Sequence, residues 1–130
     1  MSQHLREVAI TKLATITGID AKTVAQTELY VVPTGKSLVV DHVVIRCTSF
    51  TSGGKSTQAI ASFGGNSATY DDYLNSITYT IAAASVAITD SVLDTAVPVY
   101  AAATSFRLAI ETGSNATIET WAVDVFGYLV

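Results

Sequence analysis

The chain is short of the residues that most chemistry needs. It holds one cysteine and two histidines in 130 residues, and only 14% of its residues are charged. A lone Cys47 allows no internal disulfide and no cysteine-based zinc site, which leaves an intermolecular bridge as its one pairing. The seven basic residues, Arg6, Lys12, Lys22, Lys36, Arg46, Lys55 and Arg107, are scattered, so no basic stripe exists to follow phosphates. Direct nucleic-acid binding is not expected. Four lysines and four glutamates are too few to clothe a helical bundle. Low charge combined with 49% hydrophobic residues also argues against disorder. No stretch approaches 18 apolar residues without polar interruption, so no membrane helix is expected. The opening Met-Ser-Gln-His-Leu-Arg-Glu lacks the basic and apolar regions of a secretion signal, so synthesis and first folding are expected in a host cytoplasm.

What remains is ample for one core. A chain of 13.6 kDa folds as a single domain. It exposes roughly 6,500 Å² against about 20,000 Å² unfolded. A mean hydropathy of +0.42 with so few charges suggests surface buried against sister subunits. The net charge of −4 implies solubility and does not fix the sign of a partner.

Short runs rich in Val, Ile, Thr and Tyr alternate with clusters of Gly, Ser, Asn and Asp, an all-β pattern. Strands are expected near residues 8–17, 23–32, 37–48, 57–64, 76–81, 85–89, 95–101, 104–111 and 117–130. About eight or nine antiparallel strands at this spacing predict a single-domain, oligomeric β-sandwich or jelly roll rather than a small open barrel. Residues 13–130 are assigned to the sandwich, and residues 1–12 to an N-terminal arm and first strand edge. In the run 104–111, Phe106, Leu108 and Ile110 take one face while Ser105, Arg107 and Glu111 take the other. In the last strand, Trp121, Val123, Val125 and Leu129 oppose Thr120, Asp124 and Tyr128, with Gly127 marking a bulge. The strand 38–47 is apolar on both faces: Leu38, Val40 and Val44 on one, Val39, Val43, Ile45 and Cys47 on the other. Such a strand is central in a sandwich or covered by a neighbouring subunit. Two alanine triplets, 82–84 and 101–103, fit a helical turn or tight sheet packing. The segment Glu111–Ala116 supplies turn chemistry for a hairpin. Its sequon Asn115-Ala116-Thr117 is not expected to be glycosylated without a secretion signal.

Candidate chemistry is thin. His4 falls in the arm. His42 follows Asp41 in a strand, and adjacent strand residues point to opposite faces, so the two are expected to form no relay. His42 is read as a buried hydrogen-bonded residue, with a subunit contact or a metal ligand as alternatives. Cys47 is read as a buried structural thiol. Asp71-Asp72, and Asp90 with Asp94, offer carboxylates but lack the spaced Asp/Asn series of a calcium loop. No metal, cofactor or catalytic residue is assigned. Gly53-Gly54-Lys55-Ser56 lacks the earlier glycine of a phosphate loop, Ser49 standing in its place, and is read as a solvated hairpin loop. The run Phe63–Asn75 is too long for a simple turn. Its Tyr70, Asp71, Asp72 and Tyr73 form the candidate partner-binding loop, for protein ahead of carbohydrate, with a loop that merely folds back on its own sandwich as the equal alternative.

In Glu28–Val40, the Val32-Pro33-Thr34-Gly35 stretch fits a type I turn joining two apolar strands. This hairpin, followed by Val43-Val44-Ile45-Arg46 and closed by Val123–Leu129, resembles small virion proteins of tailed bacteriophages, β-sandwich or jelly-roll subunits that decorate or cement heads or sit on fibres and tails. The resemblance implies a non-enzymatic structural protein. It implies a homo-oligomer, a trimer first, partnered by the major capsid protein on the capsid surface of a virion, with no membrane partner. The arm residues His4, Leu5, Arg6 and Glu7 are the candidate capsid contact. The rival expectation is a receptor- or carbohydrate-binding module of a fibre or tail. An enzyme on the same scaffold would need inward-facing histidine and carboxylate ligands that the chain does not supply.

Overall fold

The structure, a computed structural model, describes residues 9–92 and 96–130. Within them lie eight strands: β1 (Thr11–Asp20), β2 (Gln26–Val31), β3 (Leu38–Thr51), β4 (Ala59–Gly64), β5 (Leu74–Tyr79), β6 (Ala87–Asp90), β7 (Ser105–Thr112) and β8 (Ile118–Leu129). They form two four-stranded sheets, ordered β1-β8-β3-β6 and β2-β7-β4-β5, with every pairing antiparallel. The pairs β1–β8, β2–β7, β3–β6 and β4–β5 are nested inside one another, as if one long hairpin had been rolled up. This is the jelly roll.

The rolling corrects three local expectations. Only β4 and β5 are both consecutive and paired, so the loop between them closes the one hairpin among the described strands. Glu111–Ala116 joins β7 to β8 across the sandwich instead of closing a hairpin. The Pro33 turn likewise carries the chain from β2 in one sheet to β3 in the other. Its hydrogen bond runs from Lys36 N to Pro33 O at 3.2 Å, one residue later than expected. Gly35 then occupies the third position with φ +78°, the value of a type II turn, which a side chain disfavours. The strand expected at 95–101 is reduced to a single bridge, Leu38 to Tyr100; Thr95 itself lies outside the described residues, and Pro98 removes a ladder donor. The alanine triplets form turns and coil, with no helix.

The outward–inward alternation of β7 and β8 matches their sequence: Phe106, Leu108, Ile110, Trp121, Val123 and Val125 are all buried. β3 departs from it. Between Val40 and His42 its register against β8 slips by one residue, leaving Asp41 as a bulge. Facing therefore reverses, so Leu38, Val40, Val43, Ile45 and Cys47 all enter the core while Val39 and Val44 stay half-buried outside. Gly127 sits opposite this bulge. A Cβ there would overlap the Val39 carbonyl, so the strands approach closely only because Gly127 has none.

Aromatic rings tie the sheets together. Trp121 meets Tyr79 edge-on at 5.9 Å, Tyr79 meets Phe63, and Phe63 stacks near Phe106, which also contacts Tyr73 and Tyr100. Pairs of this kind add about 0.5–1.5 kcal/mol each beyond the area they bury.

Candidate functional site

The β4–β5 loop folds around the side chain of Asn66. Its Oδ1 accepts the amides of Asp71 (2.8 Å) and Asp72 (3.0 Å), and its Nδ2 donates to Asp71 Oδ1 (2.8 Å) and Thr69 Oγ1 (3.1 Å). Thr69 Oγ1 donates to the same Asp71 oxygen at 2.9 Å. The Asn66 and Thr69 donors hold the Asp71 carboxyl below the usual range, so it stays ionised. Asp72 is engaged elsewhere: its Oδ1 accepts Gly65 N at 3.0 Å and the Tyr100 hydroxyl at 2.7 Å. The neighbouring carboxylates therefore serve separate protein donors. Among the described residues, no group of three or more His, Cys, Asp and Glu is placed to hold a metal; Asp94 lies outside them.

The four loop residues singled out in the sequence divide. Tyr73 is a core residue, 5% exposed, whose hydroxyl donates to Asp41 O at 3.0 Å. Burial pushes that hydroxyl up to about 12. Its ring offers no surface to a partner. Tyr70 stays half-buried, lying 5.2 Å from the Arg107 guanidinium carbon. Arg107 in turn donates to Ser105 Oγ at 3.0 Å and approaches Glu28 at 3.6 Å. The arm residues His4, Leu5, Arg6 and Glu7 lie outside the described residues.

The loop leans over the outer face of the second sheet, where alternate positions of β7 present Arg107, Ala109 and Glu111. An open cleft of about 530 Å³ separates the loop from this face, with Val24, Ala25, Gln26, Asp71, Ala109 and Glu111 among its walls. Glu111 accepts the hydroxyls of Ser62 (2.5 Å) and Ser76 (2.6 Å). Sequence alternation put Arg107 and Glu111 on one face but gave no sign that loop 65–73 would cover it.

Five further groups depart from expectation or sharpen it. The Asp41 bulge turns Asp41 and His42 to the same side, where Asp41 Oδ2 and His42 Nδ1 lie 2.8 Å apart, contrary to the expectation from simple alternation. The imidazole stacks on Phe126 at 4.5 Å and 8°, on the outer face of the first sheet. On the same face Arg46 donates twice to Asp124, at 2.9 and 3.1 Å, and Thr15 adds a third bond at 2.8 Å. Burial alone would raise the Asp124 carboxyl, but Arg46 and Thr15 together hold it below its usual value. Lys55, expected in solvent, is 4% exposed and donates to buried Glu119 (2.7 Å) and to Ile81 O (2.7 Å). Cys47 is buried, and burial pushes its thiol up, as a structural cysteine requires. Asn115 spends its side chain on Ser56 and Thr57, which occupies the sequon nitrogen.

No protein-family model matches the chain, and no curated protein does. A chain of the cyanophage Pam1 capsid asymmetric unit is similar in structure, with a TM-score of 0.59 over 100% of this chain and 91% of that one. The likeness is one of fold. At 13% identity it transfers no site residue, yet it spans the whole jelly roll.

Proposed function

We propose that the chain is a structural protein of a tailed-phage virion, a head decoration or cement subunit that binds the assembled capsid as a homotrimer and stabilises it. The observation that carries this reading is the full-length likeness to a phage capsid chain. The surface chemistry supports it. Only 14% of the residues are charged, and Arg46 and Arg107 are each paired with a carboxylate within the chain, which suits the surface to burial against copies and a shell.

A trimer on a local three-fold position bridges several capsid subunits, so modest contacts act together and release requires breaking all of them. The arm, with His4, Leu5, Arg6 and Glu7, reaches into the shell or a neighbour, and the 65–73 loop offers Tyr70, Asp71 and Asp72 to a partner. The chain is made in the host cytoplasm and acts on the capsid surface, without enzymatic turnover.

The test is electron cryomicroscopy and heat challenge of virions with and without the gene. The proposal expects density to vanish from three-fold positions of the head and heads to rupture at lower temperature. Density lost from a fibre or tail, with heads of unchanged strength, would overturn it in favour of a receptor-binding module.

A further inference from the structure

The cleft between the 65–73 loop and the second sheet has a chemistry of its own. Its walls include the apolar residues Val24, Ala25 and Ala109, of which Val24 is 65% exposed. Two acidic residues are among its lining, Asp71 from the loop and Glu111 from β7. The cation nearest in sequence on that face is Arg107, and it is already committed to Ser105, Glu28 and the Tyr70 ring. Among the described residues Asp71 Oδ2 accepts no hydrogen bond, and Glu111 uses one site on each oxygen of the roughly four that a carboxylate offers.

We infer that this cleft takes the side chain of an arginine or lysine presented by a protein partner. The aliphatic wall matches the methylene stem of such a residue, while the two carboxylates stand where its charged head arrives. An anion would meet two negative groups with no free cation among the lining residues. A volume of about 530 Å³ leaves room for the side chain and part of the backbone that presents it. The hydrogen bonds from Asn66, Thr69, Ser62 and Ser76 fix both carboxylates before the partner arrives, which reduces the ordering that binding must supply.

The inference goes beyond the virion reading and is tested without a capsid. The full chain, labelled with ¹⁵N, is titrated with the peptide acetyl-Gly-Arg-Gly-amide and with its citrulline counterpart, which keeps the shape and removes the charge. Amide shifts are expected at 24–26, 69–71 and 109–111, with the citrulline peptide binding about three- to tenfold more weakly, the range that one or two half-exposed ion pairs supply. Asp71→Asn and Glu111→Gln should each reduce the response. Because either change disturbs a hydrogen-bonded carboxylate, Val24→Lys provides a second variant at an exposed position: its tethered ammonium competes for the cleft and should weaken peptide binding at least about threefold. Equal binding of the citrulline peptide, shifts confined to another surface, unchanged binding by Val24→Lys, or shifts produced by a neutral oligosaccharide and not by the arginine peptide would each overturn the inference. A negative titration leaves the capsid reading standing, and loss of the capsid reading leaves the cleft's preference measurable.

Discussion

Replacing Lys55 by methionine removes the cation from a fully enclosed cluster. Glu119 is 1% exposed, and its Oε1 accepts Lys55 Nζ at 2.7 Å and Ser114 Oγ at 2.8 Å, while Oε2 accepts Trp121 Nε1 at 2.9 Å. Methionine fills most of the lysine's volume, so the loss is electrostatic: a buried carboxylate keeps two neutral donors and loses its counter-ion, and the Ile81 carbonyl loses the donor it had at 2.7 Å. Breaking a buried pair from one side costs about 3–5 kcal/mol. For a domain of this size that lowers the melting temperature by about 10–20 °C. Urea unfolding followed by tryptophan fluorescence reads the change directly, because Trp121 is the only tryptophan and sits in the cluster. Adding Glu119→Gln removes the orphaned charge while the amide oxygen still accepts a hydrogen bond. The double variant should therefore be less destabilised than the sum of the singles, by about 0.5–3 kcal/mol. A Lys55→Met protein within about 1 kcal/mol of the parent, or additive singles, would refute the argument that this pair is desolvated and coupled.

Two predictions concern pH. Asp124 has a lowered pKa in the folded chain, so its contribution is fully present above the ordinary carboxyl value of 3.8 and is lost as pH falls through the folded value. Asp124→Asn should therefore flatten the acid limb of a stability-against-pH curve below about pH 4, while an unchanged limb would show that the Arg46 and Thr15 bonds do not hold this carboxyl. Tyr73, Tyr79 and Tyr100 behave in the opposite sense: burial raises all three above 10.0, Tyr73 to about 12, so their stabilisation is complete below pH 10 and falls as pH rises beyond it. Of six tyrosines, these three should ionise only at or after alkaline unfolding in an ultraviolet titration, and six reversible ionisations in the folded chain would contradict their burial.

The parts of the fold that were legible are those where local pattern and tertiary pairing agree. β8 carries no bulge of its own, and β7 is irregular only at Glu111, where its register against β4 slips by one residue, so the period-two alternation survives through Ile110 and along β8 and the buried faces can be read directly. β3 could not be read this way, because the Asp41 bulge inserts one residue and exchanges the two faces; the same bulge brings His42 beside Asp41. Nothing local announces it, since Gly127, which permits the close approach, lies about 86 positions along the chain on another strand. Lys55 looked solvated because its Gly-Gly and Ser neighbours are typical of loops. Its partner Glu119 is 64 residues away and becomes a neighbour only when the chain rolls up. Within the candidate loop, composition marked an unusual segment but could not separate Tyr73, which turns into the core, from Tyr70, which lies over Arg107. The cleft was invisible for the same reason, because its two carboxylates come from different elements.

The claim that joins these observations is that the chain works as an assembled structural subunit. Size-exclusion chromatography with multi-angle light scattering tests it most directly, on the intact chain and on one lacking residues 1–12. The account predicts a species of about 41 kDa, three times the 13.6 kDa chain, that persists after truncation. A strict monomer at every concentration tested would contradict a preformed decorating trimer.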